Sequence, residues 1–140
     1  MRACQVSYRA QVALCEPRDQ LREVLEQRRA IFGQEPTVEQ VNAFLAGFDL
    51  ATGFALLRDF HEWLVVKLGG GYNIHWFGLL HNLAVGIGPY EVPPPDQDDP
   101  TLGTRMLELA VEFLDDVDGL DGRRTLYAQY EQIRAAEGLA

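Results

Sequence analysis

The spacing of apolar residues predicts a domain built mainly from α-helices. Between residues 17 and 85, and again after residue 100, apolar side chains recur every three or four positions, which places them on one face of a helix. The length of 140 residues is typical of one domain with its own core. We therefore predict a single mainly α, bundle-like domain over residues 1–140, with five or six helices.

Flanking residues predict the ends of the first two helices. Pro17 suits the first turn of a helix, where proline removes no hydrogen bond, and Gly33 suits a helix stop. Thr37 and Gln40 have the spacing of a capping box, in which each side chain bonds to the backbone of the other residue. A second helix should therefore open at Thr37.

The third and fourth helices should be separated by the glycines at 69–71. We expect the third helix to run from about Thr52 to Leu68 and to lie near the centre of the core, because its apolar face is broad. Three glycines should end it, since they offer no side chain to pack and lose much backbone entropy when ordered. Asn73 is expected to cap the fourth helix.

Residues 86–100 are predicted to form a long loop. Three consecutive prolines at 93–95 favour an extended, stiff connection, and several acids follow them. Thr101 should then start another helix. The Asp-Gly pairs at 118–119 and 121–122 are expected to turn the chain before the last one.

The first fifteen residues fit more than one structure. Residues 4–14 alternate between apolar and polar side chains, which predicts a short half-buried strand, but Val6 and Ala10 would also suit a helix. A poorly ordered arm is a third alternative. Cys4 and Cys15 are too few for a disulfide framework and lack metal-ligand spacing, so we interpret them as free thiols.

The negative charge is concentrated in one part of the chain. The net charge is −9, and residues 91–121 carry ten acids against one base, Arg105. Such a surface would repel phosphate, which argues against nucleic-acid binding, and would attract a basic protein. The alternative is that the acids only maintain solubility. The candidate partner-binding residues are Asp96, Asp98, Asp99, Asp115, Asp116 and Asp118.

Known catalytic and metal-binding motifs fail at particular positions. His61 and Glu62 resemble the start of a zinc-protease motif, but Val65 stands where the second histidine is needed. The acids after Asp116 resemble a calcium loop, but Tyr127 occupies the position that requires glutamate. We therefore predict no metal and no cofactor. The residues that could instead share a cleft are His61, Tyr72, Asn73, His75 and Trp76.

Several short segments between residues 20 and 85 carry a resemblance to known proteins: Arg28 to Gly33 (RRAIFG), Pro36-Thr37, Phe44 to Phe48 (FLAGF), Phe60-x-x-Trp63-Leu64 and Asn73-x-x-Trp76. With these segments, residues 20–85 resemble a group of small, mostly uncharacterised bacterial helical proteins, some of which are similar to toxin-immunity proteins. The resemblance implies a helical fold and specifies no functional residue. Residues 1–15 depart from the pattern.

We expect a cytoplasmic protein without a membrane segment. The longest apolar stretch, residues 74–87, is interrupted by His75, His81 and Asn82 and is too short to span a bilayer. Polar residues interrupt the amino terminus, so no targeting segment is expected there.

The leading functional hypothesis is a protein-binding module, an acidic immunity- or antitoxin-like inhibitor of a basic partner such as a toxin domain. One alternative is a small helical enzyme with a histidine-containing cleft. The other is a structural or regulatory homodimer, assembled through residues 4–14 or through the aromatic residues around the glycine turn.

Overall fold

In the computed structural model, residues 16–94 and 99–138 are described, and within them the chain forms helices and no strand. This confirms the predicted mainly α class. The predicted strand at 4–14, and with it both cysteines, lies outside the described residues. The helices are α1 (Pro17–Glu26), α2 (Arg28–Phe32), α3 (Val38–Ala51), α4 (Phe60–Leu68), α5 (Trp76–Val85), α6 (Leu102–Asp116) and α7 (Leu120–Ala136).

The described residues hold seven helices, where five or six were predicted, because the first segment is divided at Gln27. The Gln27 amide donates to the Glu23 carbonyl and closes α1, while the Gln27 carbonyl accepts from Ile31 and opens α2. Gly33 ends α2 in the left-handed conformation, with φ at 79°, as expected for a glycine helix stop.

The capping box at the start of α3 is present. The Gln40 amide donates to Thr37 Oγ1 at 3.1 Å, and the Thr37 amide donates to Gln40 Oε1 at 3.0 Å. These reciprocal bonds satisfy two backbone donors that a helix start leaves without partners.

The predicted start of the third helix near Thr52 is wrong, since α4 begins only at Phe60. Side chains compete for the backbone amides before it: Asp49 Oδ1 accepts from Leu57 at 2.9 Å. Phe54 and Asp59 have positive φ angles of 65° and 70°, which a continuous helix does not allow. The turn at 52–59 therefore separates α3 from α4.

Histidine rather than asparagine caps α5. His75 Nδ1 accepts from the Phe77 amide at 3.2 Å, so α5 begins at Trp76 and the cap predicted at Asn73 is wrong. The predicted end of α4 at Leu68 is correct, and Gly69 follows it with φ at 78°.

The core surrounds α6, against which α1, α3 and α5 all pack. Leu107 and Val111 are buried in addition to the single face expected from the sequence, because helices cover α6 from several sides. Phe113 meets Phe60 of α4 with ring centroids 4.8 Å apart. Among the described residues, no helix has both the length and the apolar character needed to cross a bilayer.

The turn predicted at 121–122 is instead part of α7, which begins at Leu120. Gly122 lies against the end of α6, where an added Cβ would come within 2.5 Å of the Asp116 carbonyl oxygen. Glycine at this position is therefore a packing requirement and not a turn signal.

Candidate functional site

Two of the predicted partner-binding acids pair with arginines of α1. Arg22 Nη2 lies 2.5 Å from Asp115 Oδ1, and Arg18 Nη1 lies 2.7 Å from Asp118 Oδ2. The attraction of Asp118 raises the pKa of Arg18. Both ion pairs join residues about ninety or more positions apart in sequence.

The third acid of this group, Asp116, faces α4. Its Oδ2 atom accepts from Trp63 Nε1 at 3.0 Å and lies 3.7 Å from Lys67 Nζ. Lys67 Nζ also lies 3.5 Å from Glu112 Oε1 and 5.2 Å from the centroid of the Trp63 ring. Bases of α1 and α4 thus flank the acids of α6 and reduce the field that an approaching protein would meet.

The described part of the acidic loop is fastened at both ends. The Asn82 side chain, buried in α5, donates to the carbonyls of Gly88 at 3.1 Å and Glu91 at 2.9 Å. At the other end, Asp99 Oδ1 accepts from the Thr101 amide at 2.8 Å and from its hydroxyl at 2.7 Å, which lowers the pKa of Asp99. Asp96 and Asp98 lie outside the described residues.

Glu35 is the centre of a charged network that the sequence analysis did not anticipate. It accepts from Arg28 Nε at 2.8 Å, Arg29 Nε at 2.6 Å and Thr104 Oγ1 at 2.6 Å. These hydrogen bonds, with that from Arg28 the largest, lower the pKa of Glu35 to about 2. The network holds the loop between α2 and α3 against α6.

Next to this network lies a depression of about 500 Å³. We call it the acid-lined depression, because none of its ten lining residues is lysine or arginine. The His81 Nε2 atom is buried and has no hydrogen-bond partner among the described residues. Its lining includes Glu35, Glu39, His81, Pro94, Asp99 and Pro100.

The proposed histidine cleft is only partly assembled. His61 Nε2 lies 3.0 Å from the Ile74 carbonyl oxygen, so the structure brings His61 against the segment that contains Tyr72, Asn73 and His75. His75 Nδ1, however, is engaged in capping α5, and Asn73 is exposed.

Trp76 packs on Phe60 of the core, with ring centroids 5.8 Å apart, and its ring centroid also lies 5.6 Å from that of His75. The five predicted cleft residues line neither the acid-lined depression nor the hollows beside Trp63, Leu120 and Phe44. In these contacts each imidazole has a structural role, His61 against the Ile74 carbonyl and His75 as the cap of α5.

Two further networks hold α7 in place. Tyr90 Oη donates to Glu137 and accepts from the Gly71 amide at 3.2 Å, and the bond to Glu137 raises the pKa of Tyr90. Asp59, whose side chain is 10% exposed, pairs with Arg123 and accepts from Tyr127 Oη at 2.7 Å. The bond to Asp59 raises the pKa of Tyr127.

The outer surface of α3 is apolar, and the described part of the chain leaves it exposed. Leu50 is 62% exposed and Phe54, just after the helix, is 65% exposed. A groove of about 470 Å³ runs beside them, with Phe44 and Gly47 in its wall. We call this surface the α3 face and define it by Ala43, Ala46, Gly47, Leu50, Ala51 and Phe54, all of which are exposed.

Metal-ligand geometry in the described residues and comparison with known proteins give no further indication of what these features do. In residues 16–94 and 99–138, no group of three or more His, Cys, Asp or Glu side chains is placed to hold a metal ion. No protein-family model matches the chain, and no curated protein or solved structure is significantly similar to it.

Proposed function

We propose that this domain is a protein-binding module that engages a basic partner, in the manner of an immunity or antitoxin-like inhibitor. The observation that carries the proposal is the acid-lined depression, where Glu39 and Asp99 lie on the walls and neither lysine nor arginine is present among the lining residues. A cavity of about 500 Å³ is large enough for a lysine or arginine side chain of the partner.

Two carboxylates of this depression, those of Glu35 and Asp99, have lowered pKa values. Glu35 remains ionised down to a pH of about 2, although Arg28 and Arg29 already occupy much of its hydrogen-bonding capacity. Glu39 is exposed, and Asp99 has a lowered pKa. These two carboxylates are therefore the ones expected to meet an incoming guanidinium or ammonium group.

The remaining acids are expected to contribute unequally to the attraction of a basic partner. Asp96 and Asp98 belong to the same segment as Asp99 and are expected to add to the attraction. Asp115, Asp116 and Asp118 are expected to contribute less, because each already lies within 4 Å of a base of α1 or α4. The association rate should fall as salt screens the attraction.

The test is complex formation with the basic proteins encoded beside the gene, measured by titration calorimetry. The double variant Glu39→Lys, Asp99→Lys should weaken binding about a hundredfold, since two attractive contacts become repulsive. The matched control reverses two exposed acids on other helices, Glu26→Lys and Glu131→Lys, and should change affinity only a few-fold.

Protection of cells from a toxic partner should follow the same order of variants. The proposal fails if no basic neighbour binds. It also fails if the control pair weakens the complex as much as the pair at residues 39 and 99.

A further inference from the structure

We infer that the α3 face is the contact between two copies of this chain, which associate weakly as an antiparallel pair. The face has two protruding side chains, Leu50 and Phe54, that the rest of the described chain leaves more than half exposed. Exposed apolar residues gathered on one surface mark interaction sites more often than isolated ones do.

Charge favours a second copy over a basic partner on this surface. Between Glu39 and Arg58 the only charged residue is Asp49, and its carboxylate accepts a hydrogen bond from the Leu57 amide. Two chains that each carry a net charge of −9 repel each other over most of their surface. An uncharged strip is where they can approach at the lowest cost, while a basic protein would gain no ion pair there.

The α3 face contains both a protrusion and a hollow. Leu50 and Phe54 protrude near the end of α3, and the groove extends along the same helix from Ala43 to Ala51, so that its Ala43 end lies about two turns before Leu50. A twofold axis across antiparallel α3 helices would place the protrusion of each copy in the hollow of the other, as a self-complementary contact requires.

One glycine of this region is not required by the packing of the described chain. Gly47 lies inside α3, where glycine is less favourable than alanine, yet a Cβ added there would meet nothing within 4 Å. Close approach of a second helix to Gly47 would account for the missing side chain. Phe54 belongs to the turn that ends α3, in which its amide donates to the Asp49 carbonyl at 2.8 Å, and its side chain is 65% exposed and available for insertion.

The small area of the α3 face limits how strongly two copies can associate. A helix of 14 residues is about 21 Å long and about 10 Å wide, so its footprint is on the order of 200 Å². Stable complexes bury about 800 Å² on each partner. Unless neighbouring surfaces join the contact, the pair should therefore be weak.

Sedimentation equilibrium of the full chain, from about 10 μM to about 1 mM at low and high salt, tests this inference. We expect a dimer fraction that rises with concentration and also rises with salt, because salt screens the repulsion between the two chains. Binding of a basic partner at the acid-lined depression should instead weaken with salt, so the two proposals can fail independently.

Variants locate the contact. Leu50→Glu should weaken association at least tenfold, and Gly47→Leu should do the same by filling the hollow. Val92→Glu, at a side chain that is 87% exposed and lies outside the α3 face, should leave association unchanged. Circular dichroism confirms that each variant remains folded. A wild-type chain that stays monomeric at about 1 mM overturns the inference, as does a dimer that tolerates both α3 variants.

Discussion

The helices α6 and α3 pack against each other, yet the fold covers them to very different extents. α6 is enclosed by α1, α3 and α5, and its acidic residues Asp115 and Asp116 are bonded to groups of neighbouring helices. On α3, only Val41 and Leu45 are fully buried, while Leu50 on its outer surface remains in solvent. Neighbouring helices of the described chain cover most of α6, whereas α3 keeps an exposed apolar surface. α3 therefore has the greater capacity for contacts with another molecule.

The largest expected effect compares one substitution on the two helices. Leu107→Ala in α6 should lower the free energy of unfolding by about 3 kcal/mol, because it opens a cavity at a side chain with no exposure. Leu50→Ala in α3 should change it by less than about 0.5 kcal/mol. Urea unfolding at low protein concentration measures both values without a contribution from self-association. Similar losses in the free energy of unfolding for the two variants would contradict the difference in coverage between α6 and α3.

A second, smaller pair of effects concerns glycine. A Cβ at Gly103 of α6 would overlap the Pro36 carbonyl oxygen, so Gly103→Ala should cost about 2 kcal/mol through overpacking. Gly47→Ala in α3 meets no atom within 4 Å and should stabilise the monomer by roughly 0.5–1 kcal/mol. Thermal and urea unfolding of both variants would check the opposite signs. Destabilisation by Gly47→Ala would mean that the single chain itself needs this glycine.

The smallest expected effect concerns the pH dependence of the Glu35 network. The folded pKa of Glu35, about 2, lies below the ordinary value of 4.5, so its stabilisation is present above pH 4.5 and is lost as pH falls towards 2. Glu35→Gln should remove this part of the pH dependence and lower stability at neutral pH. Free energies of unfolding measured from pH 2 to pH 7 would show this loss of pH dependence. If the free energy of unfolding changed with pH equally in the variant and the wild type, the Glu35 network would be excluded as the source of that dependence.

Local sequence signals correctly predicted those helix ends whose hydrogen bonds join residues only a few positions apart. The capping box at Thr37 and the stop at Gly33 each depend on residues within a few positions, and both are present. The start predicted near Thr52 and the cap predicted at Asn73 were wrong, because Asp49 and His75 compete for nearby amides. Choosing between such caps requires knowing which turn the surrounding packing favours.

The candidate sites depended on distant residues and were largely missed. No pattern in the sequence joins Glu35 to Thr104, 69 positions away, or Arg18 to Asp118. A count of charge along the chain therefore overstated the negative field around α6. The sequence does contain one signal of the exposed α3 face, namely a single charge between Glu39 and Arg58 in a segment with a glycine inside a helix.

The bonds from Asn82 have a further consequence for how this chain can change over evolutionary time. They fix the backbone at Glu91, and Asp99 fixes it again at the start of α6. Both anchors are bonded to the helical scaffold, so a change in the number or charge of the residues between them leaves the bonds at each anchor in place. Insertions and new acids in this stretch would therefore leave the helical scaffold nearly as stable as before, so relatives could diverge here to match different partners.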